Sequence, residues 1–127
     1  MKIEELPITE LTIMKIIWDA DRPMQLADIY AQTKDVYNKK WQYQTVSTYI
    51  RSLVRRGFLH MKQAGRAYDY TPAISEEAYL ESIMGYMADF WGKKSLRCLA
   101  SNLRENEQLT DKEIREIEEI LDESEQQ

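Results

Sequence analysis

Apolar residues return along this chain first at helical spacing, then at alternate positions, then at helical spacing again. In "PITELTIMKIIWDADRP", Ile13, Ile16, Ile17 and Ala20 recur on one face. They predict a first helix with Thr9 as its N-cap and Asp21-Arg22-Pro23 as its stop. Leu26, Ile29 and Tyr30 predict a second, shorter helix that closes near Asn38. In "WQYQTVSTYIRSLVRRGFL", residues 41–59, the residues Val46, Ile50, Leu53 and Val54 form a single stripe. Gly57 stands where a helix takes a left-handed terminal residue. Leu59 and Met61 then alternate with His60 and Lys62, and Tyr68 and Tyr70 flank Asp69. With Gly65 between them they predict a half-buried hairpin that Pro72 ends. Three helices followed by a hairpin with a basic turn is the order of a winged helix-turn-helix.

Beyond residue 74 the spacing is helical throughout. Ser75, followed by Glu76 and Glu77, opens a helix with Tyr79, Ile83, Tyr86, Met87, Phe90 and Trp91 on one face, broken at Gly92. Leu96, Leu99 and Leu103 mark another. Thr110-Asp111-Lys112-Glu113 is a capping box for a last helix striped by Ile114, Ile117, Ile120 and Leu121. The fold class is therefore mostly α with a small β-hairpin: a winged helix-turn-helix over 1–73, then a helical dimerisation region over 74–127. The stripes of that second region are wide for what they have to cover. Packing within the chain or a ligand pocket would each use them. A second copy of the chain, related by a two-fold axis, is the natural cover, because residues 8–72 already close a core of their own.

Charge changes the picture. The net formal charge is −5, yet residues 34–66 carry eight Lys and Arg against Asp35 alone, between two acidic ends. With the apolar stripe of the third helix turned inward, its other face shows Gln44, Thr45, Ser47, Thr48, Arg51 and Arg55, and no carboxylate. Gln pairs bidentately with adenine, Arg with guanine, and hydroxyls adapt to either. Lys39 and Lys40 before the helix, and Lys62 and Arg66 on the hairpin, are placed to meet phosphates on its flanks. The expected partner is double-stranded DNA. The rival is a winged helix whose third helix docks on a protein.

Other chemistry finds little support. The 127 residues hold one cysteine, Cys98, and one histidine, His60, which have no metal-ligand spacing between them. Cys98 reads as a small buried hydrophobe between leucines, and His60 as a solvent-side residue. Four scattered glycines form no phosphate-cradling loop, and no nucleophile stands beside a base, so neither an enzyme nor a cofactor is expected. No apolar run is long enough to span a bilayer, so no direct membrane binding is expected and a reducing cytoplasm is the expected compartment.

"ITELTIMKIIWDADRP", "QTVSTYIRSLVRRGFL" and "LRENEQLTDKEIREIEEIL" together resemble the penicillinase-repressor family of BlaI, MecI and CopY type transcriptional repressors. The resemblance runs over residues 8–124 and includes Trp18-Asp19, Thr45, Thr48 and Leu53. It implies a homodimeric repressor on inverted-repeat operators, controlling genes of the β-lactam-resistance type. It further implies release through proteolysis by a membrane sensor that detects β-lactams. The cut in the staphylococcal members falls at an Asn-Phe bond. Alignment on "NEQL" carries it to Asn102-Leu103, with Leu in place of Phe. Those members also have basic residues where Gln44 and Ser47 stand, so their base preference does not transfer. The paired Cys-x-Cys motifs of the copper-responsive members are missing, and the resemblance does not extend to copper sensing.

Overall fold

The computed structural model describes residues 3–125, apart from the side chains of Leu121 and of residues 123–125. Helix α1 is Ile8–Ala20, α2 is Leu26–Asp35 and α3 is Tyr43–Arg55. Pro7, and not Thr9, is the N-cap of α1. Its carbonyl accepts the first bond from the Leu11 amide at 2.9 Å, and no side chain caps the helix. Asp21 closes α1 in the left-handed region, with φ 51°. Helix α2 ends before the expected Asn38, which itself has φ 55°. The chain turns there as the Lys39 amide donates to the Thr33 carbonyl at 2.9 Å.

Gly57 ends α3 as its position predicts. It sits at φ 83° and donates to the Val54 carbonyl at 3.1 Å, while the Phe58 amide donates to the Leu53 carbonyl at 2.9 Å. This is a Schellman closure, and its accompanying apolar contact is supplied by Leu53 and Phe58, both buried. The chain leaves directly into β1 (Leu59–Ala64), which pairs antiparallel with β2 (Ala67–Pro72) in the register Leu59↔Pro72 through Ala64↔Ala67. Gly65 and Arg66 form the two-residue turn, and of the two only Gly65 has positive φ. At the hairpin root, Met24 and Tyr70 exchange backbone hydrogen bonds of 3.1 and 2.8 Å, which ties the wing to the α1–α2 connection.

The core beneath these elements is Ile13, Ile16 and Ile17 from α1, Met24, Ile29, the stripe Val46, Ile50 and Leu53, and Phe58 with Leu59. Each such side chain contributes about 1.5–3 kcal/mol of burial. The hairpin is covered only at its root. Leu59 and Tyr70 are buried, but Met61 and Tyr68, expected on the same half-buried face, are exposed because the strands run on past the helices.

Chain packing divides after Glu81, so this unit takes in the start of α4 (Glu76–Trp91) as well as the winged helix. Ser75 caps α4, its Oγ accepting from the Ala78 amide at 3.1 Å. Tyr79, expected at a dimer interface, is buried here instead. Its hydroxyl accepts from the Leu6 amide at 2.9 Å, and its ring lies 5.6 Å from Trp18 and 6.2 Å from Phe58. Trp18 in turn donates from Nε1 to the Ile74 carbonyl at 2.9 Å, and Lys15 bridges Asp19 and Glu76. That pair of carboxylates, Glu76 foremost, raises the Lys15 pKa above its ordinary value.

The second unit, from Ser82 onward, holds the rest of α4, α5 (Lys93–Glu105) and α6 (Asp111–Glu125). The Thr110 capping box forms as predicted: the Thr110 amide donates to Glu113 Oε1 at 3.1 Å, and the Glu113 amide to Thr110 Oγ1 at 3.2 Å. Ile114 is buried, and Ile83, Leu96, Leu103 and Ile117 are half-buried. Met87, Phe90, Trp91, Leu99 and Ile120 are exposed, Phe90 to 65%; the Leu121 side chain lies outside the described residues. Cys98, expected to be buried, is exposed on α5.

Because the Tyr79 hydroxyl is the partner of a buried amide, Tyr79→Phe is expected to lower unfolding stability by about 1–2 kcal/mol. Urea denaturation of full chain and of a fragment ending at Glu81 should give the same loss. A loss confined to the full chain would place Tyr79 in an interface instead.

Candidate nucleic-acid interface

Burial of Val46, Ile50 and Leu53 turns the other side of α3 outward. Gln44, Thr48, Arg51 and Arg55 are exposed, and Thr45 and Ser47 half-exposed at its margins. Their arrangement is partly fixed within the helix. Thr48 Oγ1 donates to the Gln44 carbonyl at 3.0 Å and accepts from Arg51 Nη2 at 3.3 Å. No acidic residue lies in the first turn of α3 and no side chain caps it, so its leading amides and the positive end of its dipole are open to an anion.

The segment before α3 is basic and aromatic. Lys39 lies over the Trp41 ring at 5.5 Å and Lys34 over Tyr30 at 4.4 Å. Trp41 and Tyr49, and Tyr30 and Tyr43, meet edge to face at 5.5 and 5.1 Å. Lys34, Lys39, Lys40 and Trp41 line one shallow concavity with Tyr30. The hairpin supplies the other flank. Arg66 is exposed at its turn, and Lys62 is exposed on the face that carries His60, with Asp69 opposite in register.

The wing packs on α3 through β1, and Tyr70 of β2 lies within electrostatic reach of Arg51 and Tyr43 of α3. Burial raises the Tyr70 pKa above the usual phenol range. The neighbouring Tyr68 and Tyr43 act in the same direction, while Arg51 acts against them. The expected site residues 39–55 and 62–66 all belong to this first unit.

Two findings lie outside the sequence expectations. Arg56, which adds to the segment's formal charge, is turned toward the start of α1. It pairs with Glu4 at 2.8 Å and with Glu10, which also accepts from Ser52 Oγ at 3.4 Å. Its neighbour Arg55 is exposed; one step of about 100° along the helix separates a fold-holding arginine from a free one. Tyr43, Met61 and Tyr68 are also exposed at this surface. A period-two pattern marks a buried face but not how far a hairpin outruns its cover. Among the described residues no group of His, Cys, Asp or Glu is placed to hold a metal ion.

Comparison with known proteins gives a concordant picture. Residues 7–123 match the family model described as penicillinase repressor. The penicillinase repressor of Bacillus licheniformis is 30% identical over 122 residues, covering 96% of this chain and 93% of its own. An uncharacterized 16.5 kDa protein of Latilactobacillus sakei is 28% identical over 120 residues, 92% of this chain and 78% of its own. Among solved structures, the DNA-binding domain of the repressor BlaI superposes with a TM-score of 0.53 at 29% identity, covering 62% of this chain and 94% of that domain. The monomeric form of B. licheniformis BlaI in complex with the blaP half-operator superposes at 0.52 and 28% identity, covering 61% and 92%.

Since Arg56 holds two carboxylates and, among the described residues, Arg51 and Arg55 pair with none, the three arginines should separate in a stability assay. Arg56→Ala is expected to cost about 2 kcal/mol, the order of a charge-assisted hydrogen-bond pair. Arg51→Ala and Arg55→Ala should stay within about 0.5 kcal/mol of the parent. Equal effects in chemical denaturation would contradict this division.

Proposed function

The chain belongs to the penicillinase-repressor family, whose members are DNA-binding repressors and not enzymes, and from that premise we propose that it acts as a homodimer on inverted-repeat operators. The observation that carries the reading is the exposed face of α3: amide, hydroxyl and guanidinium groups, no carboxylate, and basic flanks on both sides. The BlaI neighbour is described as a monomeric form on a half-operator, which supports one winged helix per half-site. In this reading Gln44, Thr45, Ser47, Thr48, Arg51 and Arg55 meet base edges or adjacent phosphates. Lys39, Lys40, Lys62 and Arg66 hold the backbone.

The dimer would form through the helices after residue 81. Ile83, Met87, Phe90, Trp91, Leu96, Leu99, Leu103, Ile114, Ile117, Ile120 and Leu121 supply its apolar surface, and the exposure of Phe90, Trp91 and Ile120 in a single chain favours a second copy as cover. The regulated genes are of the β-lactam-resistance type, and the protein works in the cytoplasm beside the DNA. Repression ends by cleavage at Asn102-Leu103 through a membrane sensor-protease. That sensor is a separate protein in this reading; among the described residues no helix is long and apolar enough to cross a membrane. The bond lies inside α5. Asn102 Nδ2 donates to the Cys98 carbonyl and Asn106 Nδ2 to the Asn102 carbonyl, both at 2.8 Å, so α5 has to open locally before a protease can take it as an extended strand.

Binding to operator and scrambled duplexes across a salt series tests the DNA reading. Arg51→Ala should cost about 1–3 kcal/mol on the operator and relax preference at one base pair per half-site. Lys62→Ala and Arg66→Ala should weaken every duplex alike and flatten the log–log salt slope by about one unit each. Equal affinity of the parent for both duplexes at physiological salt would overturn it and favour a protein-docking helix.

Truncation after Asn102 tests the switch. Loss of the α6 stripe should leave two halves that bind separately, with affinity for the full operator falling by roughly 10²–10⁴ and affinity for a half-site unchanged. A truncated chain that sediments as a dimer and holds the operator as tightly as the intact one would remove cleavage here as the switch.

A further inference from the structure

The hairpin has two faces, and the charged one is not the one that meets α3. Residues directly opposite in an antiparallel pair share a face. Leu59, Met61 and Gln63 therefore lie with Pro72, Tyr70 and Tyr68, and His60 and Lys62 lie behind with Thr71 and Asp69. The first face is the core side, since Leu59 and Tyr70 are buried against the helices. Beyond the root it continues into the open, carrying Met61 at 47% and Tyr68 at 42% exposure. At the root, β1 packs on α3, and Tyr70 lies within electrostatic reach of Arg51 and of Tyr43 in the first turn of α3, itself 46% exposed. A strip of two phenols and a thioether thus runs from the start of α3 to the wing, bordering the reading face.

We infer that Tyr43, Tyr68 and Met61 form an uncharged part of the DNA interface, gripping the sugar-phosphate backbone on the wing side of α3. The inference rests on the operator-binding reading above and assigns residues that reading leaves out. A phenol donates one hydrogen bond to a phosphodiester oxygen, and its ring packs on deoxyribose. Met61 adapts its unbranched side chain to the same sugars. Such contacts carry no base information and position the duplex against Gln44 and Arg51. Exposed apolar groups beside a basic surface suit a partner with both apolar and anionic parts. The backbone of the duplex that α3 reads is such a partner, and it lies next to them.

The strip has a signature that a basic contact lacks. Neutral donors displace no counterions, so their loss lowers affinity without changing the salt slope. In the full-length protein, Tyr43→Phe and Tyr68→Phe remove only the hydroxyls. Each is expected to weaken operator and scrambled duplexes alike, by about threefold to tenfold, with parallel salt plots and an unchanged melting temperature. Met61→Ala should weaken both duplexes by about twofold to fivefold, again with parallel plots. Arg66→Ala, measured beside them, should flatten its plot. If the parent discriminates operator from scrambled DNA while Tyr43→Phe, Tyr68→Phe and Met61→Ala all bind as the parent does, the strip lies off the duplex and this inference is overturned alone. Loss at the operator only would make these residues base readers and overturn it as well. If the parent does not discriminate, the reading beneath it fails.

Discussion

Everything the first unit presents to a partner depends on the burial of one stripe, Val46, Ile50 and Leu53, all nearly inaccessible to solvent. Rotation of α3 by a single residue would move each by about 100° and replace hydrocarbon in the core with Thr, Ser or Arg. A buried polar group without a partner costs several kcal/mol, so the helix is held in one rotational setting. The Schellman closure at Gly57 then fixes where the helix ends and where the wing begins. A non-glycine residue at φ 83° would be strained whatever space surrounds it. The reading face is therefore a by-product of core packing: what is left over once the stripe is satisfied.

Electrostatics follow from the same geometry. The middle of the chain is strongly basic by count, but Arg56 is consumed by Glu4 and Glu10 in joining the end of α3 to the start of α1. Arg51, Arg55, Lys40, Lys62 and Arg66 remain exposed, and in the proposed reading theirs is the charge open to a polyanion.

Much of this was legible in the sequence, and the failures are informative. Gly57, Gly65 and the Thr110–Glu113 box act through local backbone chemistry, which does not depend on the rest of the fold, and they form as read. The composition of the α3 face was likewise readable, because one stripe on one helix leaves little choice about what faces out. Tyr79 shows where periodicity stops. It belongs to the α4 stripe by spacing, but spacing says only that a residue is covered and not by what; Leu6, Trp18 and Phe58 cover it. Arg55 and Arg56 are indistinguishable as letters, and only the position of Glu10 on a neighbouring helix separates them. Met61 and Tyr68 obey the alternation of a half-buried strand yet stay exposed to 47% and 42%, since strand length and domain width are set by different residues.

The hydrogen bonds from Arg51 to Thr48 and from Thr48 to the Gln44 carbonyl carry a consequence for how such a helix changes over time. A free arginine surrenders about 0.5–1.5 kcal/mol of rotamer freedom when an interface immobilises it. Here part of that ordering happens on folding, and it passes through a hydroxyl whose own proton is already committed to the backbone. Thr48 is left as an acceptor and a methyl group, not a donor. A substitution at Thr48 would alter its own contact and also release Arg51 from its orientation, so the two positions are not separate letters of a recognition code. Divergence to a new target would have to move through both together, and the readable alphabet of this helix is smaller than its number of exposed side chains.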